Sequence, residues 1–429
     1  MVTLRKINFN NVRGIFMSDS TKNKIADTEH SLSAVDEKSR QGFWSLMVVL
    51  VGFTFFSPSM TAGGNLGLGL NMRDFFIAMI LGNAFLGAYT AVLAHIGQTT
   101  GLTMDLLARR SFGEKGSYLS SALISFTQIG WFGVGVAMFA LPVAKLLNIN
   151  STLLVIVTGI AMTATAYYGF KALAVLGSIA VPLITILGIY SVNYGINQVG
   201  GFANVFPEIP AQPLTMAAAL TIVIGNFISG GTSTPNFTRF AKTSKSAVWS
   251  TIIAFFIGNC IMFIFGAVGG ATTGNPDIFD ILIAQGLTLP AILVLGLNIW
   301  TTNNNALYTA GLGLANITKI QSKPLVLIGG GIGTVTAIWL YNNFVSYLSL
   351  LGGMIPPVGV VIIIHYFMNK AQYQNPNYKP EAINIGAIVA VIAGALVGTL
   401  VKWGIAPVNS LVVSGVIYFI AETLRKKNA

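Results

Sequence analysis

Four amides, two aromatic rings and three hydroxyls stand within apolar stretches of this sequence, where each must find a polar partner or face a cavity. In Thr127-Gln128-Ile129-Gly130-Trp131, the amide of Gln128 and the indole of Trp131 are three residues apart and so share one helix face. In Asn298-Ile299-Trp300-Thr301-Thr302-Asn303-Asn304-Asn305, the residues Asn298, Thr301, Thr302 and Asn305 follow i, i+3, i+4, i+7 and form one polar stripe. A third group, Asn226, Phe227 and Ser229, precedes Gly230-Gly231 and Pro235. Amides present donors and acceptors together, which suits the mixed edge of a neutral heterocycle. The rings of Trp131 and Phe227 suit its faces, since stacking a base on an aromatic side chain contributes about 1–3 kcal/mol in nucleic-acid proteins. Taken by itself, Trp131 also reads as a packing residue. Carbonyls freed at a helix break, together with the hydroxyls of Thr301 and Thr302, suit a hard monovalent cation such as Na+.

Other chemistry is disfavoured. The thirteen acids, from Asp19 to Glu422, read as belonging to a polar tail, to loops or to span ends, with Asp280 the most inward. His95 and His365 read as interfacial. Without a buried acid, base or paired nucleophile, neither a membrane enzyme nor a proton relay is supported. The single cysteine, Cys260, permits no intrachain disulfide and no thiolate cluster.

The elements that must position these groups are membrane helices. The sequence is 54% hydrophobic and 9% charged, against about 25% charged in soluble domains. Twelve apolar spans are predicted, at 43–68, 75–97, 117–146, 151–169, 172–197, 214–240, 247–272, 279–313, 325–342, 344–368, 384–402 and 407–424. The net charge of +11 does not imply nucleic acid, because 21 of the 24 basic residues fall on one side of that arrangement and only Arg73, Lys145 and Lys402 on the other. The positive-inside rule then puts both termini in the cytoplasm of a multi-pass plasma-membrane protein, with the lipid bilayer as its surroundings. Residues 1–40 read as a polar cytoplasmic tail without an export signal, Met17 is a candidate start, and 425–429 form a short cytoplasmic end. The loop Arg109–Gly116 is either a gate or a basic anchor.

Two spans contain breakers: Ser57–Gly64 in the first and Asn226–Asn236 in the sixth. Irregular backbone at membrane depth is tolerated where it borders a polar cavity. Five spans separate the two breaks, so the second unit enters the membrane with opposite polarity, and an inverted repeat is expected: 43–197 against 214–368, with 384–424 added. Pro182 is expected to kink the fifth span, and Gly200–Pro213 to lie as a connection on the outer membrane surface. Gly352-Gly353 with Pro356-Pro357 marks either a moving element or a static kink in the tenth span.

From Gly42 to Tyr418, and most of all in Leu50–Gly64, Gly101–Gly113, Thr127–Pro142 and Ala284–Asn316, the sequence resembles the bacterial cytosine permeases of the nucleobase:cation symporter-1 (purine-cytosine permease) family. The resemblance implies an all-α membrane protein with the LeuT-type 5+5 inverted repeat, discontinuous helices 1 and 6 and two extra C-terminal helices. It implies sodium-coupled import of cytosine by alternating access. Cytosine would lie between Trp131 and Phe227, with Gln128 and Asn303 on its polar edge and Asn226 and Ser229 at the sixth-span break. Sodium, the coupling ion, would take the carbonyls of Phe56, Ser59 and Asn298 and the hydroxyls of Thr301 and Thr302; no organic cofactor is implied. The chain departs from the family pattern at Asn226, where Ser is usual, in Thr232–Asn236, and in lacking a Trp before Gly63-Gly64. Another pyrimidine, a purine, hydantoin or allantoin therefore stays open as substrate, as do proton coupling and uncoupled facilitation.

Overall fold

The computed structural model describes residues 30–167, 170–210, 213–375 and 378–427. The expected tail over 1–40 and the candidate start at Met17 lie outside them up to position 29, as do the last two residues of 425–429. The described residues are helical throughout, apart from loops and one isolated bridge between Gln41 and Ala241. In chain order the main helices are α1 (Phe43–Thr54), α2 (Ser57–Gly69), α3 (Met72–Thr100), α4 (Met104–Phe112), α5 (Ser117–Leu147), α6 (Ser151–Ala166), α7 (Phe170–Gln198), α8 (Met216–Thr232) and α9 (Pro235–Thr238). They continue as α10 (Ser244–Thr273), α11 (Ile278–Ala284), α12 (Gly296–Thr318), α13 (Ser322–Asn342), α14 (Phe344–Met354), α15 (Pro356–Met368), α16 (Ile385–Leu400) and α17 (Ala406–Lys427).

Among the described residues, eight helices are long and apolar enough to cross a bilayer, and α1 with α2, bent by 50°, would make a ninth. The apolar helices α6 and α16 are shorter, at 16 residues each. Helix α12 has 23 residues but carries the amide run. Large apolar side chains face outward, among them Ile160, Trp339, Leu400 and Val335 at 64% to 86% exposure. Water would not tolerate such a girdle, whereas lipid would.

The first break is not where the glycines suggest. Helix α1 ends at Thr54, Phe55 and Phe56 leave helical geometry, and α2 restarts at Ser57 with Pro58 in its first turn, a position where the missing N–H costs nothing. The predicted break at Ser57–Gly64 is therefore displaced toward the chain start, and Gly63-Gly64 lies inside a regular helix. Those glycines do a different job. A Cβ on Gly63 would fall 2.3 Å from the Phe263 carbonyl oxygen, and one on Gly266 would fall 1.7 Å from that of Met60. Helices α2 and α10 thus pack backbone to backbone, which only small residues allow.

The second predicted break is milder than expected. The chain stays helical through Gly230-Gly231 to Thr232, is interrupted at Ser233-Thr234, and Pro235 opens α9 on nearly the same axis, so Met216–Thr238 forms one span. The predicted span 279–313 is instead two elements. Asp277 caps α11, the chain turns at Gly286 (φ +77°), and the crossing helix begins near Thr288. Its backbone widens over Ala291–Leu295 before α12 begins, so Asn298 stands in regular helix just beyond the irregular turn. The amides consequently stand along α12, not at its end. Ile355 interrupts the tenth span ahead of Pro356.

Replacing Gly266 by Val should destabilise detergent-solubilised protein by at least about 1–3 kcal/mol, because backbone atoms cannot swing away from an added side chain. Gly331→Val, at a site with nothing within 4 Å, is the control and should leave the unfolding midpoint unchanged. Equal midpoints for the two variants would refute the backbone-to-backbone packing.

Candidate functional site

The interruption between α1 and α2 leaves backbone groups without helical partners in a region where water is excluded. Asn298, from the middle of the bundle, satisfies them. Its Oδ1 accepts from the Ser57 amide at 2.9 Å and from the Ser57 hydroxyl at 2.8 Å, while its Nδ2 donates to the Phe55 carbonyl. One turn further along α12, the Thr302 hydroxyl stands 3.4 Å from the carbonyls of both Gly52 and Asn298. The structure thus brings the first break, Asn298 and Thr302 together. Other members of the predicted cation set have partners of their own. The Phe56 carbonyl accepts from the Ser59 amide at 2.9 Å, and the Thr301 hydroxyl donates back to Leu297 at 3.0 Å. The Gly52 carbonyl was not anticipated. It lies one helical turn before Phe56, a spacing that could have suggested it.

Beside this junction Phe53, Phe56, Gln128, Trp131, Asn226, Phe227 and Thr302 line one cavity. Its free volume is about 10 Å³, room for about one water molecule rather than a heterocycle. The donors of Gln128 (Nε2, 3.3 Å) and Trp131 (Nε1, 3.1 Å) both end on the Ser229 hydroxyl oxygen. Between the two expected platforms stands the ring of Phe56, edge-on to Trp131 at 5.6 Å and to Phe227 at 6.3 Å. Sequence reasoning counted Phe56 only for its carbonyl and missed Phe53. Asn226 reaches α2, donating to the Ser59 hydroxyl at 2.8 Å. Asn303 points elsewhere: its Nδ2 donates to the Phe132 carbonyl and lies against the Met162 sulfur, both at 3.1 Å. It is one residue past Thr302, and that step of the helix turns it toward α5 and α6.

The sequence profile described as "Permease for cytosine/purines, uracil, thiamine, allantoin" matches residues 34–420. The chain belongs to this permease family. Cytosine permease of Escherichia coli (strain K12) is 52% identical over 399 residues, covering 93% of this chain and 95% of that one. Hydantoin permease of Microbacterium maritypicum is 23% identical over 62% of this chain and 61% of its own length. Among solved structures, the nucleobase-cation-symport-1 family transporter Mhp1, in a closed conformation with bromovinylhydantoin bound, superposes with a TM-score of 0.81 at 17% identity, covering 93% of this chain and 96% of Mhp1. A Na+-coupled sialic acid symporter in a substrate-bound outward-open state gives 0.71 at 14% identity, covering 96% and 94%. The fold is therefore of the LeuT-like transporter type, and the permease is a multi-pass membrane protein rather than an enzyme.

The expectation that no carboxylate is buried fails at the end of the bundle that carries the N-terminal segment. Asp105, in the first turn of α4, is 1% exposed. It lies between the predicted spans 75–97 and 117–146, where the sequence alone places acids in loops or at span ends. Its Oδ1 accepts from the Ser121 hydroxyl at 2.6 Å, while Oδ2 has no partner among the described residues. Burial pushes its pKa up to about 6, against the lowering effects of Ser121, Arg109 and Arg239. Arg239 is itself buried, donating to the carbonyls of Asn236 (3.1 Å) and His30 (2.7 Å) and to the Tyr308 hydroxyl (3.1 Å). Residues 30–41 cover this end through Val35 to the Gly101 carbonyl and Gln41 to that of Phe240. The predicted gate or anchor at Arg109–Gly116 is tied down as well, since Glu114 meets Lys319 at 2.6 Å and Arg109 bonds Asn316. His365, expected at an interface, is buried, with its Nδ1 2.7 Å from the Tyr373 hydroxyl. Glu422 is also buried, held by Arg425 and Asn369. His95 is half-buried beside the Ser244 hydroxyl. Among the described residues no group of three or more His, Cys, Asp or Glu side chains is placed to hold a metal.

A carboxyl whose pKa is raised on folding binds its proton more tightly folded than unfolded. Stability is therefore lost as pH rises from about 4 to about 6, and the loss is complete above that window. Asp105→Asn keeps the shape without the titration. Its stability should gain on that of the unsubstituted permease by up to about 3 kcal/mol between pH 4 and pH 7, read from unfolding midpoints in detergent. A gap that does not change with pH would refute the buried-acid assignment.

Proposed function

We propose that this permease imports cytosine, or a closely related nucleobase, by sodium-coupled symport with alternating access. One observation carries the reading: Gln128, Trp131, Asn226 and Phe227 surround a single cavity that shares Thr302 with the Asn298-bridged break. An aromatic slot and an oxygen-lined junction in contact are what coupling of a flat neutral solute to a small cation requires. The relative at 52% identity bears the name cytosine permease, and one structural neighbour is named as Na+-coupled. Import of another neutral heterocycle is the second reading, favoured by Asn226 in the cavity wall.

In this reading α1 with α2, α3, α5, α6, α7, α8 with α9, α10, α12, α13, α14 with α15, α16 and α17 are the twelve spans. The first five repeat in inverted form as the next five, and both termini are cytoplasmic in the inner membrane. Sodium takes the carbonyls of Phe56, Ser59 and Asn298 and the hydroxyls of Thr301 and Thr302. The base stacks between Trp131 and Phe227 after Phe56 withdraws. Ser229 then gives up Gln128 and Trp131 to the base, and Asn303 exchanges Phe132 and Met162 for its edge. A membrane potential contributes about 2.3 kcal/mol per charge per 100 mV. A tenfold Na+ gradient contributes about 1.4 kcal/mol more. One ion per solute therefore supports accumulation of about several hundredfold.

Radiolabelled cytosine uptake into proteoliposomes should rise when an inward sodium gradient is imposed. It should be challenged with uracil, adenine, hypoxanthine, hydantoin and allantoin. Thr302→Ala should lose most of the sodium dependence, and Trp131→Ala should raise the cytosine concentration needed for half-maximal uptake at least about tenfold. Sodium-independent uptake by the unsubstituted protein would overturn the coupling. Absence of uptake and of competition by every base tested would overturn the substrate class.

A further inference from the structure

The two ends of the Asn226 amide meet different surroundings. Asn226 lines the cavity from α8 and is 2% exposed. Its Nδ2 is committed across the cavity wall to the Ser59 hydroxyl at 2.8 Å, while its Oδ1 is buried and has no hydrogen-bond partner among the described residues. A buried acceptor without a donor is costly, and where one persists at a cavity a ligand is the natural source of the missing hydrogen. Two polar ends across the cavity are donors: the Trp131 indole, which can do nothing else, and the Gln128 Nε2, both now on Ser229. The cavity therefore offers donors on the α5 side and a bare acceptor on the Asn226 side.

We propose that Asn226 is a specificity-determining residue that selects bases presenting an exocyclic amine over those presenting a carbonyl at the same ring position. Ser59 is its positioning residue: its hydroxyl accepts from Nδ2 and anchors the amide at the cavity wall, with Oδ1 toward the ligand. The proposal rests on the nucleobase-transport reading above. Cytosine and uracil have almost the same outline, but the 4-amino group of cytosine donates where the 4-oxo group of uracil accepts. The amine completes the valence of Asn226 Oδ1. The oxo group sets two carbonyl oxygens against each other and leaves both unpaired, a far stronger basis for rejection than size. Ser59 belongs to the first interrupted span and Asn226 to the sixth, so selection depends on the two spans keeping their register. Without the Ser59 hydroxyl the amide loses its anchor to the first interrupted span, and Oδ1 is no longer held against the donor of an entering amine.

The test is equilibrium binding of radiolabelled cytosine and radiolabelled uracil to the purified full-length protein in nanodiscs at saturating sodium. The unsubstituted protein should bind cytosine at least about tenfold more tightly than uracil, the discrimination of one satisfied against one frustrated buried hydrogen bond. In Ser59→Ala the ratio of the two dissociation constants should fall about tenfold, with cytosine weakened and uracil not, and Ser59→Thr should restore it. A purely structural role for Ser59 would weaken both bases alike and leave the ratio unmoved. Asn226→Leu, of similar size but without an acceptor, should also lose the discrimination and provides the measurement if Ser59→Ala does not accumulate. An unchanged ratio in Ser59→Ala or Asn226→Leu overturns the selector, as does a preference for uracil in the unsubstituted protein. Binding of neither base by the unsubstituted protein overturns the nucleobase reading itself and the selector with it.

Discussion

The contact on which the rest of the structure depends is that of Asn298 with the gap between α1 and α2. A chain that leaves helical geometry inside a bilayer must hide its amides and carbonyls, and a single carboxamide does so by answering a donor and an acceptor at once. That pairing ties the interrupted span to α12. It thereby brings the Thr302 hydroxyl against the Gly52 carbonyl on one side and sets Phe53 and Phe56 into the cavity wall on the other. Remove the carboxamide and both the oxygen-rich junction and the aromatic slot lose their common support.

Around that contact the bundle divides into surfaces of different character. Helices α2 and α10 meet through glycines, with no side chains between them to slide, so α2 is held as one body with α10. Helix α5 meets the cavity through Gln128 and Trp131, and both are satisfied by one hydroxyl of α8. That hydroxyl oxygen accepts two hydrogens at once and so ties α5 to α8 at the cavity. The cavity is small because the Phe56 ring stands between Trp131 and Phe227.

Much of this was legible in the sequence, and the errors share a cause. Gln128, Trp131, Asn226, Phe227 and Thr302 could be found because polar and aromatic residues in apolar runs stand out at helical spacing, and the structure gathers them around one space. Gly63-Gly64 was misread because glycine signals both a broken helix and a close helix contact, and composition does not tell the two apart. Asp105 was missed because it stands between two predicted spans, just before the basic pair Arg109-Arg110, while its partners come from other elements, Ser121 and Arg239 among them. The direction of Asn303 could not be read because a helix turns each successive residue by about 100°, and which face looks at the cavity depends on the whole bundle.

The guanidinium of Arg239 has a consequence for how that end of the molecule can separate. It has no contact with bulk solvent and is held by oxygens of three different segments: Asn236 beside it, Tyr308 on α12 and His30 in the covering segment 30–41. A cation cannot surrender such partners one by one into a dry interior, because each loss leaves charge unsolvated. It can surrender them together if water arrives at the same moment. If this end parts, as alternating access requires, wetting and parting are a single event, with hydration of one arginine as its threshold.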